Sequence, residues 1–209
     1  MLRYPHPVTP TECVGVLRDL CGQLVSDGEP LYVEVRPTPG APPDDCFPTV
    51  DAHVQANGGM ARYGWSLWEL PSVFVEAEFH AVWQSPSGGL LDVSSKKWDA
   101  ARILFLPDPR RAYEDRQVNN LRRSLSIDPA VGEYLGTFDA EFEVMNRGDR
   151  AFQHGMLHLS EMESLEMARI MQSRQRLHHE VLSLAQVVGP YTPCLCGSGK
   201  KTKWCHPSR

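Results

Sequence analysis

The stretch VEAEFHAVWQSPSGGLLDVS, residues 75–94, decides the fold, because it predicts two strands joined by a tight turn. Side chains in a strand alternate between two faces, so Glu76, Glu78 and His80 share one face. The apolar residues between them share the other face. The Pro-Ser-Gly-Gly sequence at 86–89 is typical of the turn of a β-hairpin. The stretch therefore predicts an antiparallel pair of strands.

The predicted turn also sets a register for this hairpin. A turn centred near Pro86 and Ser87 pairs Val82 with Leu90, and hence His80 with Asp92. Directly paired residues have their side chains on the same face, with Cβ atoms about 5 Å apart. An aspartate in that position can fix the tautomer of an imidazole and stabilise its protonated form.

The flanking sequence predicts an α+β fold: a small antiparallel sheet with flanking helices, a long C-terminal helix and a zinc knuckle. Capping boxes, Thr9 with Glu12 and Ser160 with Glu163, predict helices over 9–27 and 160–188. A further helix is expected to begin at Asp44 or Asp45 and to end at the glycines 58 and 59. Alternating or short apolar runs predict strands over 31–35, 61–70 and 102–106, and short helices are expected within 107–158. The expected organisation is an α+β body over 1–158, a long helix over 159–189 and a zinc segment over 190–209.

Composition limits the class of protein. The 209 residues contain no apolar run long enough to cross a bilayer, and the first residues, MLRYPHPVTP, lack the apolar core of a secretory signal. A cytoplasmic location is therefore expected, where thiols stay reduced. The net charge of −5 is uneven, because the chain from Pro190 onward has four basic residues and no acidic ones. A basic segment follows an acidic body.

The last part of the chain, PCLCGSGKKTKWCH at 193–206, predicts a zinc site. Zinc prefers tetrahedral thiolate and imidazole ligands, and Cys194, Cys196, Cys205 and His206 supply four of them. The intervening glycines allow the chain to fold tightly enough for both ligand pairs to meet. A segment this short has no core of its own, so metal binding would supply its folding energy. A closed shell of four protein ligands indicates a structural ion.

This segment resembles the SEC-C motif, the zinc-binding C-terminal segment of the SecA translocation ATPase. The likeness covers about the last seventeen residues and includes the ligand order, the spacing, the Gly-Ser-Gly turn and the lysines. It implies Zn²⁺ held by the same four residues. It also implies a docking tag for a chaperone or the ribosome. Because the motif occurs on many otherwise unrelated bacterial proteins, a bacterial origin is expected and the partner is left open.

The residues between the ligand pairs are expected to lie on the surface of the knuckle. They include Lys200, Lys201, Lys203 and Trp204. A basic patch beside an exposed aromatic side chain suits an acidic protein surface or RNA. The alternative is that the lysines only keep the segment soluble.

The body also carries the parts of a thiol catalyst. Cys46 lies at the predicted N-terminus of a helix, where the helix dipole and a nearby imidazolium would favour the thiolate. The order Cys46, His80, Asp92 is similar to that of papain-like and transglutaminase-like thiol enzymes. This resemblance implies Cys46 as nucleophile, His80 as base and then acid, and Asp92 as orienting group. The implied reaction is attack on an amide or thioester, as in a peptidase, a deamidase or an acyl transferase.

Several alternatives stay open at this point. Cys46 can be a small buried residue, as we interpret Cys13 and Cys21, and a His80–Asp92 hydrogen bond can be structural. Glu76 and Glu78 beside His80 would also suit a second metal site. At the level of the whole protein, the alternative to a thiol enzyme is a non-catalytic adaptor, linked through its zinc knuckle to the ribosome, a chaperone or the secretion machinery.

Overall fold

The fold is described from a computed structural model, which defines residues 6–42, 45–96, 100–153 and 157–205. Its elements in chain order are α1 (Val16–Leu24), β1 (Leu31–Val35), α2 (Cys46–Asn57), β2 (Met60–Leu70), β3 (Phe74–Gln84), β4 (Leu90–Asp92), β5 (Arg102–Pro107), β6 (Leu121–Ser124), α3 (Pro129–Met145), a 3₁₀ turn (Gly148–Phe152), α4 (Glu161–Val187) and α5 (Thr202–Cys205). The class is α+β, as predicted. In this part of the chain, no helix is both long enough and apolar enough to cross a membrane.

Five strands close into a barrel in the order β2-β5-β1-β4-β3, because β3 also pairs with β2. β6 is added beside β3. The sheet is mixed, since β1 runs parallel to β4 with Val35 beside Asp92, whereas the β1–β5, β2–β5 and β3–β4 pairs are antiparallel. The prediction of a small antiparallel sheet was therefore wrong in this respect. A parallel pair needs a long connection between its strands, and α2 with the β2–β3 hairpin supplies it.

The barrel places opposite faces of β3 in two different cores. Val82 packs with side chains of β1, β2 and β5 inside the barrel: Val33, Trp68, Ile103 and Phe105. Its neighbour Ala81 packs outside, with Val50 of α2 and with Val93. Since side chains alternate along a strand, both faces of β3 are buried. The alternation in the sequence thus separates two faces of β3 that pack in different cores.

A second compact unit contains the β2–β3 turn (Leu70–Val75) and the described chain from Glu114 onward, whereas the barrel unit contains the remaining parts of both strands. Its core joins the turn to α3 and α4 through buried residues: Leu70, Val73, Phe74, Val131, Tyr134, Leu135, Leu177, Val181 and Ala185. At the N-terminus of α3, the Asp128 side chain accepts a hydrogen bond from the Ala130 amide, and Pro129 begins the helix. At the start of α4, Ser160 and Glu163 form the predicted capping box.

The first helix differs from the prediction. It begins at Val16, after Gly15 with φ +53°, and not near Thr9. Val8 instead forms a β-bridge with Glu69, and the Thr9 hydroxyl donates to the carbonyl of Arg102. Non-local pairing thus competes with the local capping signal at Thr9. The long helix α3 within 107–158, where short helices were expected, is a further difference.

Gly64 is required where β2 pairs with β5, opposite Pro107. A Cβ atom at this position would lie 2.3 Å from the Leu106 carbonyl oxygen and 2.7 Å from the Phe105 ring. We expect Gly64→Ala to lower the free energy of unfolding by about 1–3 kcal/mol, since backbone atoms cannot move aside as a side chain can. Denaturation in urea measures the change.

Gly22→Ala is the matched control, because nothing lies within 4 Å of its Cβ position in α1. Alanine there should leave stability unchanged or raise it by up to about 1 kcal/mol, since it is the better helix former. Equal stability of the two variants would contradict the close approach of the paired strands β2 and β5 at Gly64.

Candidate functional sites

Three sulfur atoms meet in the C-terminal segment. The Sγ atoms of Cys194, Cys196 and Cys205 all lie within 4.8 Å of one another, and those of Cys196 and Cys205 are 3.4 Å apart. They form the only group of three or more potential ligand side chains this close together among the described residues. These three cysteines could hold a metal ion. His206, the predicted fourth ligand, lies outside the described residues.

Backbone hydrogen bonds bring the cysteines together. Pro193 and Lys201 form an antiparallel bridge, and the Cys194 amide donates to the Lys200 carbonyl at 2.8 Å. Between them the chain turns through Gly197 and Gly199, with φ +76° and +74°, a region that glycine adopts without strain. The short helix α5 then returns Cys205 to the first two cysteines.

The segment is anchored on the unit that contains α3 and α4. The Ile127 amide donates to the Leu195 carbonyl at 2.9 Å, between the first two cysteines. The Ile127 side chain also lies against Gly197, where a Cβ atom would be 2.9 Å from it. The Leu195 side chain packs against the apolar core of the same unit. Apolar packing and a backbone hydrogen bond thus both contribute to the position of the turn that carries the cysteines.

The thiols of the cluster differ in acidity. Burial raises the pKa of the Cys194 thiol to about 12. Burial also opposes ionisation of Cys196, but hydrogen bonds, led by those from Ser198, lower its pKa to about 6. The Ser198 hydroxyl also lies 3.0 Å from the Cys205 sulfur. Thiolates are soft ligands, so this arrangement suits an ion that prefers sulfur.

An exposed basic and aromatic surface lies beside the cluster. Tyr191 and Trp204 are 60 % and 59 % exposed, and their rings meet edge to face with centroids 6.2 Å apart. The Lys201 ammonium lies 5.5 Å from the Trp204 ring centroid, and that of Lys203 lies 5.5 Å from the Tyr191 ring centroid. We call these four residues the docking patch, after the role that is proposed for them. Tyr191 was not singled out by sequence, because it precedes the ligand segment.

A second candidate site lies in the barrel unit. His80 Nε2 is 3.0 Å from Asp92 Oδ2, so the predicted pair forms between β3 and β4. The register is two residues away from the prediction, because Trp83 pairs with Leu91 and Gln84 with Leu90. A shift of two residues keeps each side chain on its face, so the two groups still meet.

Lys96 completes a buried charged group that the sequence analysis missed. Its ammonium lies 2.5 Å from Asp92 Oδ2 and 3.0 Å from His80 Nε2. Asp92 Oδ1 accepts a hydrogen bond from the Ser94 amide, so both carboxylate oxygens are bonded. The only sequence signal was a lysine four residues after the aspartate, just beyond the end of β4.

Cys46 is the first residue of α2, as predicted, and its side chain is 8 % exposed. Within the described residues it makes no hydrogen bond to His80, whose Nε2 atom lies 3.0 Å from Asp92 Oδ2 and 3.0 Å from the Lys96 ammonium. Glu78 accepts a hydrogen bond from the Trp68 indole. Glu76, Glu78 and His80 do not gather into a metal cluster in the described part of the chain.

The electrostatics of this group link Cys46 to His80. Burial and the positive charge of Lys96 lower the pKa of the His80 imidazole, but the negative charges of Cys46 and Asp92 outweigh them and raise it to about 10. Burial raises the pKa of the Asp92 carboxyl, but His80 and Lys96 hold it well below its usual range. The geometry therefore favours an imidazolium–carboxylate pair beside the start of α2.

Comparison of the chain with protein-family models, with curated proteins and with solved structures gave no match. The likenesses to the SEC-C motif and to thiol enzymes therefore stay resemblances of sequence.

The pKa of His80 can be followed by NMR through its ring protons. We expect a midpoint well above the usual 6.5, near 10, and a lower midpoint in Cys46→Ala and Asp92→Asn, because each removes a negative charge. Since protons bind His80 more tightly in the folded chain, its contribution to stability is complete below pH 6.5 and is lost as the pH rises through about 10.

Cys21→Ala is the matched control for this titration, since Cys21 is a buried cysteine that is not among the causes of the His80 shift. It should leave the midpoint unchanged. A midpoint that Cys46→Ala also leaves unchanged would separate Cys46 from the His80–Asp92 pair.

Proposed function

We propose that this protein binds zinc through its C-terminal segment, and that the zinc-bound segment docks the protein on an acidic surface of a partner protein. The observation that carries the proposal is the meeting of three cysteine sulfurs within 4.8 Å. Two cysteines precede a glycine-rich turn and the third follows it, so one ion would tie both ends of the turn together.

Zinc is the ion that this ligand set suits best. Sulfur-rich tetrahedral sites select zinc or iron–sulfur clusters, and carboxylate sites select magnesium or calcium. We assign His206, which directly follows Cys205, as the fourth ligand, in line with the resemblance to the SEC-C motif. Three thiolates and one imidazole would leave no open position for a substrate, so the role of zinc is structural. The ion would then fix the docking patch.

The docking patch suits an acidic protein surface. Two lysines flank two exposed rings, and the chain from Pro190 onward contains no acidic residue. Exposed aromatic side chains are enriched in protein interfaces, and complementary charge raises the rate at which partners meet. Surface lysines that only aid solubility would not need the neighbouring rings.

Poly-L-glutamate serves as a probe of both parts of the proposal. We expect the full chain to bind one zinc ion and to bind labelled poly-glutamate with an affinity that falls at least about tenfold in Lys201→Glu/Lys203→Glu, because two attractive charges become repulsive. Removal of zinc with a chelator should weaken binding of the probe to a similar extent. Metal analysis measures the zinc, and fluorescence polarisation measures the probe.

Matched controls separate the two parts. Cys205→Ser should lose zinc and bind the probe more weakly, whereas Cys13→Ser should keep both zinc and the affinity for the probe. Arg169→Glu makes the same change of charge at an exposed position on α4, outside the docking patch, and should have little effect on the probe. If the protein binds zinc but Lys201→Glu/Lys203→Glu binds the probe as tightly as the wild-type protein does, the docking part of the proposal is wrong and the zinc part stands. Tighter binding of a single-stranded RNA than of poly-glutamate would instead identify RNA as the partner.

A second candidate function is thiol catalysis by the barrel unit, favoured by the hydrogen-bonded His80–Asp92 pair beside the start of α2. In this proposal the Cys46 sulfur attacks the carbonyl carbon of an amide or thioester, and His80 accepts the thiol proton and returns it to the leaving group. Asp92 orients the imidazole through Nε2, which leaves Nδ1 to exchange the proton. The substrate must reach a thiol that is only 8 % exposed.

Alkylation of Cys46 tests this second candidate. The variant to label lacks the zinc segment and carries Cys13→Ser and Cys21→Ser. We expect iodoacetamide to label its Cys46 at neutral pH at least about tenfold faster than when His80→Ala is added, because the imidazolium stabilises the thiolate. Mass spectrometry follows the label. Circular dichroism checks that each shortened variant is folded.

Glu78→Gln is the control for the loss of an ionisable group on the same strand. Slow labelling that His80→Ala does not change would mean that Cys46 is a packing residue. The body would then be the non-catalytic part of an adaptor whose activity lies in its docking patch. The two candidates thus differ in the accessibility and reactivity of one thiol.

A further inference from the structure

We propose that Cys13 and Cys21 form an oxidation-sensitive dithiol, in which a hydroperoxide oxidises Cys13 and Cys21 then closes a disulfide. The observation is a contact of 3.6 Å between the two sulfur atoms in the barrel unit. A disulfide bond is about 2.05 Å long, so the two atoms need to approach by roughly 1.5 Å. This pair is independent of the metal cluster and of the Cys46 site.

The two thiols differ in access. Cys13 lies in the segment before α1 and is partly exposed, whereas Cys21 lies within the helix and is 2 % exposed. A dissolved peroxide can therefore reach Cys13, but it is kept from Cys21. Cys21 can react only with a sulfur that has already been oxidised beside it.

The two thiols also differ in acidity, and this difference again favours reaction at Cys13. The hydrogen bond from Cys21 lowers the pKa of Cys13, burial opposes this change, and the positive charge of Arg18 adds to it. The same hydrogen bond and burial raise the pKa of Cys21. Since the thiolate is the reactive form, Cys13 is the attacking group and Cys21 the resolving group.

The local backbone holds the pair together and leaves room for closure. The Tyr32 hydroxyl contacts the carbonyls of Pro10 and Thr11 at 2.9 and 2.6 Å, which fixes the chain just before Cys13. Gly15, with φ +53° and nothing within 4 Å of its Cβ position, separates Cys13 from the helix. In the proposed closure, Cys13, which lies outside the helix, moves the remaining roughly 1.5 Å towards Cys21 and α1 stays in place.

The chemistry balances with a hydroperoxide as oxidant. The Cys13 thiolate attacks one peroxide oxygen and becomes a sulfenic acid, and hydroxide leaves. The Cys21 sulfur then attacks the sulfenic sulfur, and water leaves as the S–S bond forms. Two thiols lose two electrons, and one hydrogen peroxide becomes two waters. A thiol reductant reverses the change by exchange.

Hydrogen peroxide treatment of the full-length, zinc-loaded protein tests the proposal. Trypsin cuts after Arg18, between the two cysteines, so the disulfide would hold peptides 4–18 and 19–62 together. We expect this linked product by mass spectrometry, lighter by two hydrogen atoms than the separate peptides and released by a reductant. The linked product should persist in Cys46→Ser, because this substitution removes the other cysteine of peptide 19–62. It should be lost in Cys21→Ser.

A trap for sulfenic acid assigns the two roles. In Cys21→Ser, a cyclic 1,3-dione should label Cys13 after peroxide treatment, whereas Cys13→Ser should show no label at Cys21. Unlinked peptides in the oxidised wild-type protein would overturn the proposal, whatever the stability of the variants. A linkage from Cys13 to Cys46 that replaces the one to Cys21 would overturn it as well.

Discussion

The parallel pairing of β1 with β4 is the constraint on which the barrel unit depends. It brings Val35 beside Asp92, and the hydrogen bonding continues past the ends of both strands, because the amides of Arg36 and Thr38 donate to the carbonyls of Asp92 and Val93 at 2.8 Å. The Ser95 hydroxyl extends it further by donating to the carbonyl of Ala41. The described chain after β1, as far as Ala41, is thus attached along the continuation of β4.

The C-terminal segment is held by a different kind of force. Its described contacts with the α3–α4 unit include the Ile127 side chain against Gly197 and one backbone bond to Leu195. The Ile127 side chain is itself 75 % exposed, so it provides little apolar burial. Leu195 adds apolar packing against the core of that unit. The three sulfur atoms could in addition hold an ion, which would cross-link a segment that has no core of its own. The barrel is stabilised by apolar burial within its own unit, whereas this segment depends on packing against its neighbours.

Local patterns predicted the parts of the structure that local forces determine. The strand 31–35, the helix that ends at the glycines 58 and 59, and the capped start of α4 follow from spacing and capping. The meeting of His80 with Asp92 was also predictable, because the two-residue period of a strand tolerates the shifted register. The proximity of the three cysteines followed from a glycine-rich turn in a short segment.

Long-range contacts determined the rest. The parallel partner of β1 is more than fifty residues away, so no local pattern indicated that the sheet was mixed. Thr9 and Glu12 have the spacing of a capping box, but the bridge from Val8 to Glu69 occupies that part of the chain. Lys96 lies just beyond β4, and no pattern in the sequence indicated that its ammonium contacts the Asp92 carboxylate. α3 was missed although Asp128-Pro129 is a regular helix start.

The buried contact of Lys96, Asp92 and His80 restricts how this sequence can diverge. Loss of Asp92 alone would leave a buried ammonium without its counter-charge, which costs about 3–5 kcal/mol when one partner of such a pair is removed. Replacement of the whole group by apolar residues of similar volume is often neutral. The viable substitutions are therefore coupled, and related chains should keep the three residues together or lose them together.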